Sequence, residues 1–139
     1  MSGDDQTFRA CWPMGTAQAP AMAFAASVIT GLVALLHGYF LVLEMFLWSK
    51  PYGRRVFNLT PEKAEATRTL AANQGLYNGF LAAGLVWGLA LGTEGHAIRL
   101  FFLGCVIIAG VFGAATVGRK ILYVQALPAA IALALNCAA

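Results

Sequence analysis

Hydrophobic residues arrive in four long, charge-poor runs separated by short polar breaks: Ala21 to Trp48, Leu70 to Leu91, Ile98 to Gly118 and Ile121 to Cys137. Each run approaches the roughly 17 to 25 residues that carry an α-helix across the hydrocarbon of a bilayer. The breaks are short enough to force neighbouring helices to run in opposite directions. The pattern therefore predicts an all-α fold, an integral membrane protein built as an antiparallel four-helix transmembrane bundle over residues 21–139. Residues 1–20, MSGDDQTFRACWPMGTAQAP, read as a polar N-terminal surface segment, without the basic start and apolar core of a secretory signal. Met22 offers a second start, just before the first run.

The punctuation fixes the element ends. Trp48-Ser49-Lys50-Pro51 closes the first helix, and the basic stretch PYGRRVFNL follows as a loop. Thr60-Pro61-Glu62 supplies an N-cap, a proline at the first helical position and a first-turn acid, so the second helix begins outside the membrane and is the longest. Gly92-Thr93-Glu94-Gly95-His96 and Gly118-Arg119-Lys120 are tight turns. The second helix carries two rows of small residues, Gly75, Gly79, Ala83 and Gly84, Gly88, Gly92, which predict close contacts on two of its sides.

Composition strengthens the membrane reading. Of the 139 residues, 60% are hydrophobic and 11% charged, against roughly 25% charged in soluble domains, so no soluble domain is expected. The formal net charge of +3 does not point to nucleic acid, because the basic residues flank the runs. Arg9 and Arg99 fall on one side, and Lys50, Arg54, Arg55, Lys63, Arg68, Arg119 and Lys120 on the other. The positive-inside rule then places both termini outside the cytoplasm. Cys11, Cys105 and Cys137 lack metal-ligand spacing, and no metal is expected; Cys11 and Cys137 share the outer side, where a disulfide between them is conceivable.

Against this background a few polar residues stand out. Glu44 and His37 lie inside the first apolar run, where ionisable groups are costly and turn toward protein or a water-filled cavity. Thr30, His37, Glu44 and Trp48 fall on one stripe of that helix. On the second helix Asn73, Gln74, Tyr77 and Asn78 cover an arc of about 140°. Glu44, that cluster, and Tyr123 with Gln125 on the fourth helix share one depth in the cytoplasmic leaflet, while His37 lies about 10 Å deeper. A polar pocket opening to the inner face, built from His37, Glu44, Asn73, Gln74, Tyr77 and Asn78, accounts for this coincidence. The plainer reading is that these groups only hydrogen-bond across helices, at about a kcal/mol or less each. In that reading Glu44 snorkels or pairs with Arg54, Arg55, Arg68 or Arg119. No phosphate-binding loop, metal constellation or nucleophile motif is present, and a lone carboxylate gives a channel little to work with.

The strings HGYFLVLEMFLW, PYGRRVF, LAANQGLYNGFLAAGLVWG and GRKILYVQALPA resemble a bacterial family of small four-span membrane proteins, domain of unknown function 1304, over about Val28 to Leu135. The resemblance implies the fold and a bacterial inner (plasma) membrane, but no activity. A more distant likeness is to the membrane-associated eicosanoid and glutathione metabolism superfamily (MAPEG). It rests on Arg68 and Asn73 at the entry of the second helix and on Arg119, Tyr123 and Leu127-Pro128 in the fourth; Leu76 and Tyr77 stand where that superfamily has an acid. This likeness implies a homo-oligomer, a trimer in that superfamily, with glutathione as cofactor and Arg68, Arg119 and Tyr123 as contacts to its anionic groups. Three functions remain open at this level: a binding protein for an amphipathic or lipophilic small molecule, a glutathione-dependent membrane enzyme, and an accessory subunit whose polar groups only lock helices together.

The charge asymmetry yields a direct test. Cysteines introduced singly between Pro51 and Leu59 should resist impermeant thiol reagents applied to intact cells and react after lysis; labelling from outside would invert the orientation.

Overall fold

Helix boundaries follow the local chemistry closely in the computed structural model, which describes residues 18–139. Five α-helices occur there: α1 (Gln18–Met45), α2 (Pro51–Phe57), α3 (Pro61–Ala90), α4 (His96–Thr116) and α5 (Leu127–Ala138). A 3-10 turn, Gly92–Gly95, joins α3 to α4, and a π turn, Leu122–Ala126, leads into α5. The described residues contain no strand. Cys11, and with it any pairing to Cys137, lies outside them.

The start of α3 is as expected. Pro61 occupies the first turn, and the Thr60 hydroxyl accepts from the Lys63 N–H at 3.3 Å. Glu62 follows, its carboxyl held below the usual range by hydrogen bonds to its own backbone N–H and to the Thr60 side chain. With 30 residues α3 is the longest element.

One expectation needs correction. The stretch PYGRRVFNL is not a loop: Pro51–Phe57 forms α2, started by a proline whose missing N–H costs nothing at that position and stopped by Asn58 in a left-handed conformation (φ 52°). So short a helix persists by leaning on its neighbours. The Phe57 ring packs on Trp48 at 4.7 Å, and Gly53 sits directly against the Leu47 carbonyl. By length and composition, two helical segments, Pro20–Met45 and Gly92–Thr116, are long and apolar enough to cross a membrane. α3 falls short because the amides of Asn73, Gln74 and Asn78 lower its hydropathy, and the last apolar segment, Leu122–Ala138, is shorter.

That last segment is also irregular for a local reason. Pro128 has no N–H to donate, and the Leu127 N–H reaches back five residues to the Leu122 carbonyl.

α1 packs along α3 and α5, and α4 packs against α3 and α5, closing a ring of four. Its centre is an apolar layer of Val33, Ala34, Leu85, Leu103, Val106, Ala129 and Ala132. The two small-residue rows of α3 face different partners. Gly75 and Gly79 meet α1 at Leu41 to Met45, whereas Gly84 lies under the Phe102 ring and Gly88 against Arg99, both on α4. The outer surface is apolar: Phe24, Leu35, Leu70, Phe101, Ile108 and Phe112 are all exposed.

Gly84→Ala should therefore drive a methyl into the Phe102 ring and lower thermal stability in detergent by about 1–3 kcal/mol. Gly38→Ala, with nothing within 4 Å of the added methyl, should melt at or slightly above the parent temperature. Equal melting of the two variants would show that α3 and α4 are not in close contact.

Candidate functional site

Seven-residue spacing returns a helix almost to the same face, and on α1 that face points inward. Thr30 and His37 are fully buried, and Glu44 is half-buried. The backbone of α3 reaches the last turn of α1 because Gly75 has no side chain: a Cβ there would lie 3.0 Å from the Met45 nitrogen and 3.1 Å from the Leu41 oxygen. One turn further along α3 this close approach brings Asn78 to the carboxylate. Its Nδ2 donates to Glu44 Oε2 at 2.7 Å.

Beside this pair lies a cavity of about 550 Å³. Glu44, Asn78, Gln74 and Tyr77 contribute to its wall, as do Lys120 and Gln125 from the final helical segment. The rest is apolar or aromatic, including Phe40, Phe57, Leu81, Ile121 and Val124. α2 supplies Val56 and Phe57, so the unexpected helix forms part of the wall. Its position is fixed by hydrogen bonds around it: Trp48 Nε1 donates to Thr67 Oγ1 at 3.0 Å, and the Tyr39 and Tyr52 hydroxyls lie 2.8 Å apart. A mostly apolar cavity of this size with a few convergent polar groups has the form of a small-molecule site.

The sequence-predicted residues divide. Glu44, Gln74, Tyr77 and Asn78 meet at the cavity; His37, Asn73, Arg68, Arg119 and Tyr123 do not line it. His37 instead donates Nδ1–H to the Val33 carbonyl of its own helix at 2.8 Å, stands edge-on to Phe40, and has no partner for Nε2 among the described residues. Asn73 is exposed, five residues before Asn78 and so on another side of α3. Arg68 is exposed and sits 3.5 Å from Glu65, one turn back along its own helix. Arg119 and Tyr123 are also exposed. Lys120, read from the sequence only as a marker of orientation, faces the cavity, as does Gln125, whose depth was legible but whose direction was not.

A second polar junction, at the far end of the bundle, was missed. Arg99 Nε donates to Asn136 Oδ1 at 2.8 Å, and its Nη1 donates to the carbonyls of Gly88 at 2.9 Å and Gly92 at 2.5 Å. Asn136 Nδ2 donates to Thr30 Oγ1 at 3.0 Å and to the Ala132 carbonyl at 2.8 Å. Four helices are tied in one network, and the guanidinium also covers carbonyls at the C-terminal end of α3. The signal was present: Asn136 is an isolated amide in an apolar run, and Thr30 shares the stripe of Glu44.

Comparison with known proteins adds a family. Residues 31–137 match the family described as "Protein of unknown function (DUF1304)", a range that contains every residue lining the cavity. A protein of Lactococcus lactis subsp. lactis (strain IL1403), "Uncharacterized protein YpaA", is 32% identical over 106 residues, covering 75% of this chain and 89% of that protein. No solved structure matches the chain.

The Glu44–Asn78 bond can be measured through its loss. Glu44→Leu should orphan the Asn78 amide and cost about 1–3 kcal/mol, while Glu44→Gln, which keeps an acceptor in place, should stay near the parent. A leucine variant as stable as the parent would mean that Asn78 finds another partner.

Proposed function

The chain belongs to the DUF1304 family, and from that footing we propose that it is a small inner-membrane binding protein. In this reading it is an antiparallel four-helix bundle crossing the bilayer with both termini outside the cytoplasm. It holds an amphipathic or lipophilic molecule in the cavity beside Glu44, in the cytoplasmic leaflet.

Membrane insertion is supported by what the apolar helices leave uncovered. In the most apolar stretch of α4 only 17% of residues are buried, and in that of α1 only 33%. A core helix of a soluble protein is mostly buried, whereas these present Leu35, Phe101, Ile108 and Phe112 outward. Hydrocarbon is the solvent that such a surface suits, and it also suits the inward turn of Thr30, His37 and Asn136. α3 is apolar enough to join them once its amides are satisfied or face the cavity rather than lipid.

The single observation that carries the binding role is the 550 Å³ cavity whose largely apolar wall surrounds the Glu44–Asn78 pair. A cavity of about 440 Å³ also borders Arg99 and Asn136, but there the donors are taken up by protein acceptors, whereas the Glu44 carboxylate keeps acceptor capacity free.

Native mass spectrometry of the protein purified in mild detergent should reveal a co-purifying small molecule. Ala109→Trp, which fills the cavity from an exposed position on α4, should abolish that adduct while leaving the melting temperature within a few degrees of the parent. Retention of the same adduct by a folded Ala109→Trp variant would remove the cavity as the site.

A further inference from the structure

We propose that the cavity selects a monocationic amphiphile, a long-chain amine or quaternary ammonium compound, with its head group against Glu44 and its chain along α4 and the final helical segment. This rests on the cavity being a binding site. Three features of the lining converge on that chemistry.

The first is the carboxylate. Glu44 is the sole acid on the wall, it is half-buried, and among the described residues the one ion pair is Arg68 with Glu65. Asn78 satisfies one lone pair of Oε2 but brings no countercharge. An acid withdrawn from water without a cation is costly, and a ligand that brings the cation relieves that cost on binding. Neutral amphiphiles bring the carboxylate no countercharge, and anionic ones disfavour its ionised form.

The second is the ring content. Phe40, Phe57 and Tyr77 line the same cavity from three different helices. Aromatic faces attract cations, most strongly the weakly hydrated ammonium groups that a carboxylate alone holds poorly. The third is the remaining wall, Leu81, Ala109, Gly113, Val117, Ile121 and Val124, which offers an alkyl chain an apolar path. Lys120 is the one basic residue on the lining, and it is exposed, so water and salt screen its repulsion of a cation far more than they screen Glu44.

The test uses three probes of one chain length, decyltrimethylammonium, decanoate and decanol, titrated into the purified full-length protein in nonionic detergent. The ammonium compound should bind about tenfold or more tightly than the other two. Glu44→Gln should reduce its affinity to that of decanol while decanol binding stays within about twofold, and Phe57→Leu should weaken the ammonium probe selectively. If decanoate or decanol binds the parent as tightly as the ammonium compound, or if Glu44→Gln keeps the preference, the charge selection is wrong although the cavity still binds. If Ala109→Trp leaves all three affinities unchanged, the cavity itself is not the site and both readings fall.

Discussion

An apolar exterior obliges the polar groups of this chain to find partners inside it, and the rest of the architecture follows from how they do so. Two junctions form, one at each end of the bundle, with the layer of Val33, Leu85, Leu103, Val106, Ala129 and Ala132 between them. At the first, Glu44 meets Asn78; at the second, Arg99, Asn136 and Thr30 meet one another and the backbone. The junctions differ in kind. The second spends its donors on holding four helices together. The first leaves carboxylate capacity facing a cavity, which is why the functional reading belongs there.

Geometry at the first junction begins with an absence of side chain. Gly75 lets α3 touch the backbone of α1, and the contact sets the rotation of α3 so that Asn78 faces in and Asn73 faces out. α2 then closes part of the wall, held through Trp48, Phe57, Thr67 and the pair of tyrosines. The walls of the cavity are thus a product of helix packing as much as of the residues displayed on them. A change at Gly75 would act on Glu44 from a position that need not touch a ligand.

What could be read from the sequence was whatever depends on period and on punctuation. The inward stripe of Thr30, His37 and Glu44 follows from helical spacing, the start of α3 from Thr60-Pro61, and the two contact faces of α3 from its glycines. What could not be read depends on facing partners. Four adjacent polar residues on α3 span too wide an arc for the sequence to say which one meets Glu44, since each step turns the helix by about 100°. α2 was missed because a seven-residue helix is stabilised by tertiary contacts rather than by its own propensity. Arg99 was taken for a marker of orientation because basic residues at helix ends usually are; its one side-chain partner, Asn136, is 37 positions away.

The junction at Arg99 also bears on how the molecule is assembled. Thr30 and Asn136 are separated by 106 positions, and every other helix lies between them. A ribosome delivers these elements in order, so the guanidinium and the Thr30 hydroxyl wait without their amide until the final helix arrives. Its docking satisfies groups on α1 and α4 in one step. Until that helix docks, the Arg99 Nε–H lacks its side-chain acceptor and the Thr30 hydroxyl lacks its amide donor, so a nascent or truncated chain holds two unmet polar groups in an apolar setting.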